Sequence, residues 1–194
     1  MKKLLFTLLF LTLGTAWGGA REDGFAAAER KDYATAFKLW RPLAEQGDAV
    51  AQSNLGVMYR KGQGVIQDYK EALKWSRLAA EQGNAIAQSN LGIMYRKGQG
   101  VIQDYKEALK WYRLAAEQGD ASAQSNLGFM YGTGQGVLQD YARAHMWLNL
   151  ASAAGDSKYG TENRDILANK MTPQQIEKAQ EMAKACQARN FKGC

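Results

Sequence analysis

Residues 48–83 read DAVAQSNLGVMYRKGQGVIQDYKEALKWSRLAAEQG, and residues 84–119 read NAIAQSNLGIMYRKGQGVIQDYKEALKWYRLAAEQG. They differ only at Asp48/Asn84, Val50/Ile86, Val57/Ile93 and Ser76/Tyr112. A more diverged copy, DASAQSNLGFMYGTGQGVLQDYARAHMWLNLASAAG, fills residues 120–155. A fixed period of this kind is the mark of stacked supersecondary units, none of which can bury its apolar face alone.

Each unit reads as two helices. Asp48 follows the stop signal Gly47 and is an N-cap candidate, and Ala51, Leu55, Met58 and Tyr59 then recur at helical spacing. Gly62-Gln63-Gly64 ends this helix and turns the chain. Asp68 caps a second helix, on which Ala72, Trp75, Leu78 and Ala79 form an apolar stripe up to Gly83. Ala51, Gly56 and Ala72 are small where two helices need close approach. No segment alternates with a period of two, so the chain is all-α.

The flanks read as atypical terminal units. Residues 21–47 form a shortened pair, with helices expected over 23–29 and 32–46 and Pro42 expected to kink the second or to free a carbonyl. Residues 156–194 form a capping element. There, 157–170 replaces a first helix, and Thr172-Pro173-Gln174-Gln175 starts a last one running to about Arg189, with Thr as cap, Pro at the first position and Gln at the third.

Residues 1–20 have the order of a secretory signal: Lys2-Lys3, an apolar run from Leu4 to Leu13, then small residues, with cleavage after Ala16 or Ala20. An uncleaved anchor is the alternative, but the run is about ten residues where a span needs roughly 20. The expectation is an exported protein, periplasmic or secreted, with no integral membrane segment after cleavage. In that compartment the two cysteines, Cys186 and Cys194, are expected to close a short structural disulfide. A redox pair is the alternative, though C-x-x-C spacing is absent.

Composition narrows the chemistry. The chain has 194 residues with a net charge of +6, one histidine and two cysteines, too few for a His-based metal centre or a zinc cluster. No metal or cofactor is expected. The basic excess alone does not indicate nucleic acid, because acidic residues are interspersed and export is expected. The G-x-G turns lack the preceding strand and following Gly-Lys-Ser/Thr of a phosphate loop. His145, placed at the Lys74/Lys110 position, reads as a surface residue rather than a catalytic base. Trp40, Trp75, Trp111 and Trp147, placed at one position of the second helices, read as core pegs.

The pattern Ala51-x-x-x-Leu55-Gly56-x-x-Tyr59, then Gly62-x-Gly64-Val65, Asp68-Tyr69-x-x-Ala72-x-x-Trp75 and Ala79-Ala80-Glu81-Gln82-Gly83, resembles the Sel-one-like repeat (SLR). The resemblance covers 32–155, and Met171 to Gln180 resembles a common SLR terminus. It implies a right-handed α/α superhelix of stacked antiparallel helix pairs, related to tetratricopeptide repeats. It also implies a scaffold that binds a protein or peptide partner without chemistry of its own.

In such solenoids the side of the first helix opposite the core lines an inner groove. With Ala51 at 0° and 100° per residue, Leu55, Met58 and Tyr59 fall at about 40°, 340° and 80°, while Ser53, Val57 and Arg60 fall at about 200°, 240° and 180°. The expected groove therefore carries Ser53, Ser89 and Ser125, then Val57, Ile93 and Phe129, with Arg60 and Arg96 beside Lys61 and Lys97. Asn54, Asn90 and Asn126 stand on its margin, either bonding an extended peptide or tying down a neighbouring helix. Two other functions remain open. One is a β-lactamase or penicillin-binding activity, as in a cysteine-rich SLR branch whose repeat cysteines this chain lacks; the other is cell-wall glycan binding.

Overall fold

The structure is a computed structural model that describes residues 19–155 and 159–194. Most of the residues expected to form a signal, 1–18, lie outside the described part. Ten helices, and no strand, occur among the described residues. The chain divides into two compact units, residues 1–82 and 83–194.

The first unit holds α1 (residues 19–29), α2 (Tyr33–Glu45), α3 (Ala49–Lys61) and α4 (Tyr69–Glu81). The side chains of Asp32, Asp48 and Asp68 accept from backbone amides in the first turns of α2, α3 and α4. They satisfy donors that a helix start otherwise leaves orphaned. Gly62, at φ 66°, closes α3 in the left-handed conformation that disfavours a side chain. Pro42 lies inside α2, which continues past it to Glu45; the N–H that would reach the Lys38 carbonyl is absent there.

Packing inside this unit repeats one contact. A Cβ on Gly56 would stand 2.4 Å from Ser76 Oγ, and one on Gly24 would stand 2.2 Å from Trp40 Nε1. Each first helix thus needs glycine where its own second helix crosses. Trp40 therefore occupies the position of Ser76, one residue beyond that of Trp75, and the single register expected for all four tryptophans does not hold. It fails because Trp40 stands eight residues beyond its capping Asp32, whereas Trp75, Trp111 and Trp147 stand seven beyond Asp68, Asp104 and Asp140. Ala36, Trp40, Leu43, Ala51, Leu55 and Met58 form the core.

The second unit holds α5 (Ala85–Lys97), α6 (Tyr105–Ala116), α7 (Ala121–Thr133), α8 (Tyr141–Ala153), α9 (Tyr159–Ala168) and α10 (Pro173–Ala188). Gly92 meets the Tyr112 ring and Gly128 meets Leu148 in the same crossing. Consecutive helices pack, α6 on α7 as well as α5 on α6 and α7 on α8, so helix pairs stack inside the unit. The last two helices close it, α9 against α8 and α10 against α8. Thr172 and Gln175 form the expected capping box, and α10 runs to Ala188 with Arg189 as its C-cap. Cys186, fully buried, is disulfide-bonded to Cys194.

The expected stripe on the second helices is corrected at one position. Ala72, Trp75 and Ala79 are buried, but Leu78 is 39% exposed and Ala80 is buried in its place. Leu114 repeats the exposure of Leu78. The buried face of α4 thus follows the alanines, which let the neighbouring backbone come close, rather than the larger leucine.

Candidate partner-binding site

The first helices carry a wider buried arc than a one-sided core implies. On α3, Met58, Ala51, Leu55, Gln52, Gly56 and Ser53 are all buried, an arc of roughly 220° on a helical wheel. The cause is that α3 packs against both α2 and α4. The same holds in the second unit, where α7 packs against both α6 and α8.

This arc removes Ser53, Ser89 and Ser125 from the expected groove, since all three are buried. Asn90 is buried as well, whereas Asn54 and Asn126 are half-buried. Asn126 turns its amide back onto its own helix, donating to the Ser122 carbonyl at 2.8 Å. What stays open is a narrower strip. In the first unit it comprises Val57 and Arg60, half-buried, and Lys61, exposed.

In the second unit the strip is better furnished. Ile93 and Arg96 are half-buried, Lys97 is exposed, and Phe129 is 38% exposed. Arg96 places its guanidinium 5.7 Å from the centre of the Phe129 ring, and its Nε donates to the Tyr112 hydroxyl at 3.4 Å. The guanidinium is held between an aromatic face and a phenol, with its position set by two different helices. Ile86, 60% exposed, extends the apolar character toward the start of α5. Such a strip offers apolar contact beside fixed positive charge and has no nucleophile placed against a base.

His145 is not on the surface. It stands at the position of Leu73 and Leu109, not of Lys74 and Lys110, counting from the capping aspartates Asp68, Asp104 and Asp140. Only 4% of it is exposed, and its Nδ1 has no hydrogen-bond partner among the described residues. Burial first, then the Arg164 charge, holds its pKa below the ordinary imidazole value, with Asp165 opposing. The tryptophans are not alike either: Trp40, Trp75 and Trp147 are buried and Trp111 is half-buried.

Two features escaped the sequence reading. Gln52 donates to the Ala44 carbonyl at 3.0 Å and accepts from Gln82 Nε2 at 2.7 Å, linking three helices. Gln118 donates likewise to Gln88 in the second unit. The other feature is an exposed apolar side chain at the loop tip of each copy, Ile66, Ile102 and Leu138, at 90%, 89% and 89% exposure. The available signal was the doubled apolar pair Val65-Ile66, of which a tight turn can bury only one.

No helix among the described residues is long and apolar enough to cross a membrane. Repeated helix pairs, each closed by a glycine crossing, with a furnished strip along their first helices, define a helical-repeat scaffold. The chain belongs to the Sel1 repeat family, which matches it over residues 17–48, 49–84, 85–120 and 121–156. The first of these repeats spans 32 residues where the others span 36, in keeping with its short turn.

Among solved structures, the chain is similar to a protective antigen present in uropathogenic Escherichia coli strains displaying an SLR fold. Identity is 37% and the TM-score 0.74, over 81% of this chain and 34% of that one. It is also similar to a Sel1 repeat protein from Oxalobacter formigenes, with 38% identity and a TM-score of 0.67, over 71% of this chain and 56% of that one. The chain thus spans about a third of the first structure's length and just over half of the second's. No curated protein matches it.

Proposed function

We propose that this chain is an exported scaffold that binds a protein or peptide partner along the open strip of its first helices. The observation that carries the reading is the Arg96–Phe129 pair, an exposed aromatic ring with a cation held over it on neighbouring first helices. Arg and aromatic residues together are the usual anchors of a protein interface. Ile93 and Lys97 supply an apolar patch and a further charge on the same strip. A partner segment with an apolar side chain followed by a carboxylate meets both.

Export is supported by the Cys186–Cys194 disulfide, which suits an oxidising compartment, and by the likeness to an E. coli antigen. The scaffold is proposed to act without catalysis of its own. The test is affinity capture from crosslinked cells with the wild-type chain and with a Phe129→Ser, Arg96→Glu variant. A protein captured by the wild type and lost from the variant supports the reading. Identical capture by both overturns it, as does turnover of a chromogenic β-lactam by the pure protein.

A further inference from the structure

We infer that α9 is an acid-released strap: uptake of a proton by His145 frees α9 from α8 while α7 and α10 stay in place. This lies beyond the partner-binding strip and does not depend on it. All the residues concerned belong to the second unit. His145, the only histidine of the chain, lies inside α8 and is 4% exposed. Its Nδ1 is buried without a hydrogen-bond partner among the described residues. A neutral ring can occupy that site as Leu73 and Leu109 occupy it in the other copies. An imidazolium must donate from both nitrogens, and the site offers Nδ1 no acceptor.

Close contacts lay α9 along the second half of α8. A Cβ on Gly160 would stand 3.0 Å from the Ser152 amide nitrogen and 3.3 Å from the Leu148 carbonyl oxygen. The hydroxyls of Ser152 and Thr161 are 2.7 Å apart. One turn further along α9, Arg164 and Asp165 are the charges that act on His145. Beyond these contacts α9 is lightly held. Leu167 is the one large apolar side chain buried among residues 160–168, and Ile166 is 61% exposed. A helix of ten residues does not persist in water without its packing. By contrast, α10 packs on α8 directly, burying Ala179 and Ala183, and the disulfide fastens its end. The strap can therefore open as a local unit beneath which the neighbouring helices remain folded.

The charges around the ring do not welcome a second cation. From α9, Arg164 opposes protonation; Asp165 stays ionised and favours it, but is 63% exposed and pairs with Arg164 at 2.9 Å. Helix α7 carries no acidic or basic residue, and its Tyr131 lies under Arg143. Helix α10 keeps Glu177, Lys178, Glu181 and Lys184 exposed. On α8 itself, Arg143 pairs with Asp140 at 3.5 Å. Burial and Arg164 outweigh Asp165, so the closed form holds the imidazole below its ordinary pKa. With α9 away the ring meets water and takes up its proton near pH 6.5. Opening is thus independent of pH above that value and favoured below it.

The test is hydrogen exchange of the full chain between pH 7.5 and 5.0, each amide corrected for its intrinsic rate. Protection of residues 162–168 is expected to be constant above about pH 6.5 and then to fall by up to about tenfold per pH unit. Residues of α7 and α10 are expected to keep theirs. His145→Leu, which restores the residue of the other copies, and His145→Gln, which stays polar and neutral, are each expected to abolish the fall. The single imidazole signal, followed by NMR, is expected to titrate below pH 6.5 in the wild type. An equal fall in both variants, a fall shared by α7 and α10, or constant protection down to pH 5.0 overturns the proposal. So does an imidazole that titrates at or above pH 6.5.

Discussion

Gln82 donates its side-chain amide to Gln52 Oε1 at 2.7 Å, and Gln118 repeats this bond to Gln88 at 2.8 Å. The donor caps the end of a second helix, and the acceptor is buried in the partner first helix. Gln52 also bonds the last turn of the preceding second helix through the Ala44 carbonyl. One side chain therefore fixes the heights of three helices. A buried amide of this kind stabilises only when both its ends are satisfied.

Replacing Gln52→Ala removes both bonds and leaves a small void. Urea denaturation is expected to show a loss of about 1–3 kcal/mol. A loss below a few tenths would mean that the ladder is incidental to stability.

The third copy lacks the donor, because Ala154 stands where Gln82 and Gln118 stand in the others. Gln124 still donates to the Ala116 carbonyl at 3.3 Å, but its buried Oε1 has no hydrogen-bond partner among the described residues. Ala154→Gln is expected to supply one and to stabilise the chain by about 1 kcal/mol, read as a rise in thermal midpoint.

Gly92→Ala places a Cβ 2.6 Å from the Tyr112 ring. The helix crossing must open, at a cost of about 1–3 kcal/mol by chemical denaturation. Adding Tyr112→Ser is expected to recover none of that loss, because at the equivalent crossing a Cβ on Gly56 would stand 2.4 Å from Ser76 Oγ and because the substitution empties a buried site. Recovery by the double variant would show that the crossing tolerates a methyl once the ring is gone.

His145 makes stability depend on pH. Its folded pKa is lowered by burial and by Arg164, so the unfolded chain binds the proton more readily. Stability is full above about pH 6.5, the ordinary imidazole value. It is lost as pH falls below that value and through the lowered folded pKa. His145→Leu, matching Leu73 and Leu109, is expected to flatten this part of the profile when melting is followed from pH 7.5 to 5.

Reducing the Cys186–Cys194 bond releases a short loop at the end of α10. The chain-entropy relation puts the expected loss at about 2–3 kcal/mol. Melting with and without reductant measures it, and a Cys194→Ser variant should match the reduced protein.

Much of this structure was legible because it is local. The capping aspartates Asp32, Asp48 and Asp68 sit within three residues of the amides they receive, and the Thr172–Gln175 box closes within one turn. The stop glycines act through their own backbone, as Gly62 does at φ 66°. Gly56 and its counterparts were readable as close-approach residues, though not what they approach: Ser76 in one copy, Tyr112 in the next and Leu148 in the last.

The candidate site was less legible, for a geometric reason. A helical wheel assumes one core direction, but α3 and α7 each lie between two second helices, which buries Ser53 and Ser125 along with the expected apolar face. The wheel placed Phe129 correctly outside that arc but gave no hint that Arg96 would lie over its ring.

Sequence alone thus determined the helix pairs, their ends and their number in the repeats, because caps, turns and period act over a few residues. Tertiary structure decided which of two adjacent apolar residues is buried, as with Val65 inside and Ile66 outside. It also decided which polar residues, Gln52 and His145 among them, share the core. Those outcomes depend on the neighbouring helix that reaches each side chain, and a chain read in one dimension does not contain that neighbour.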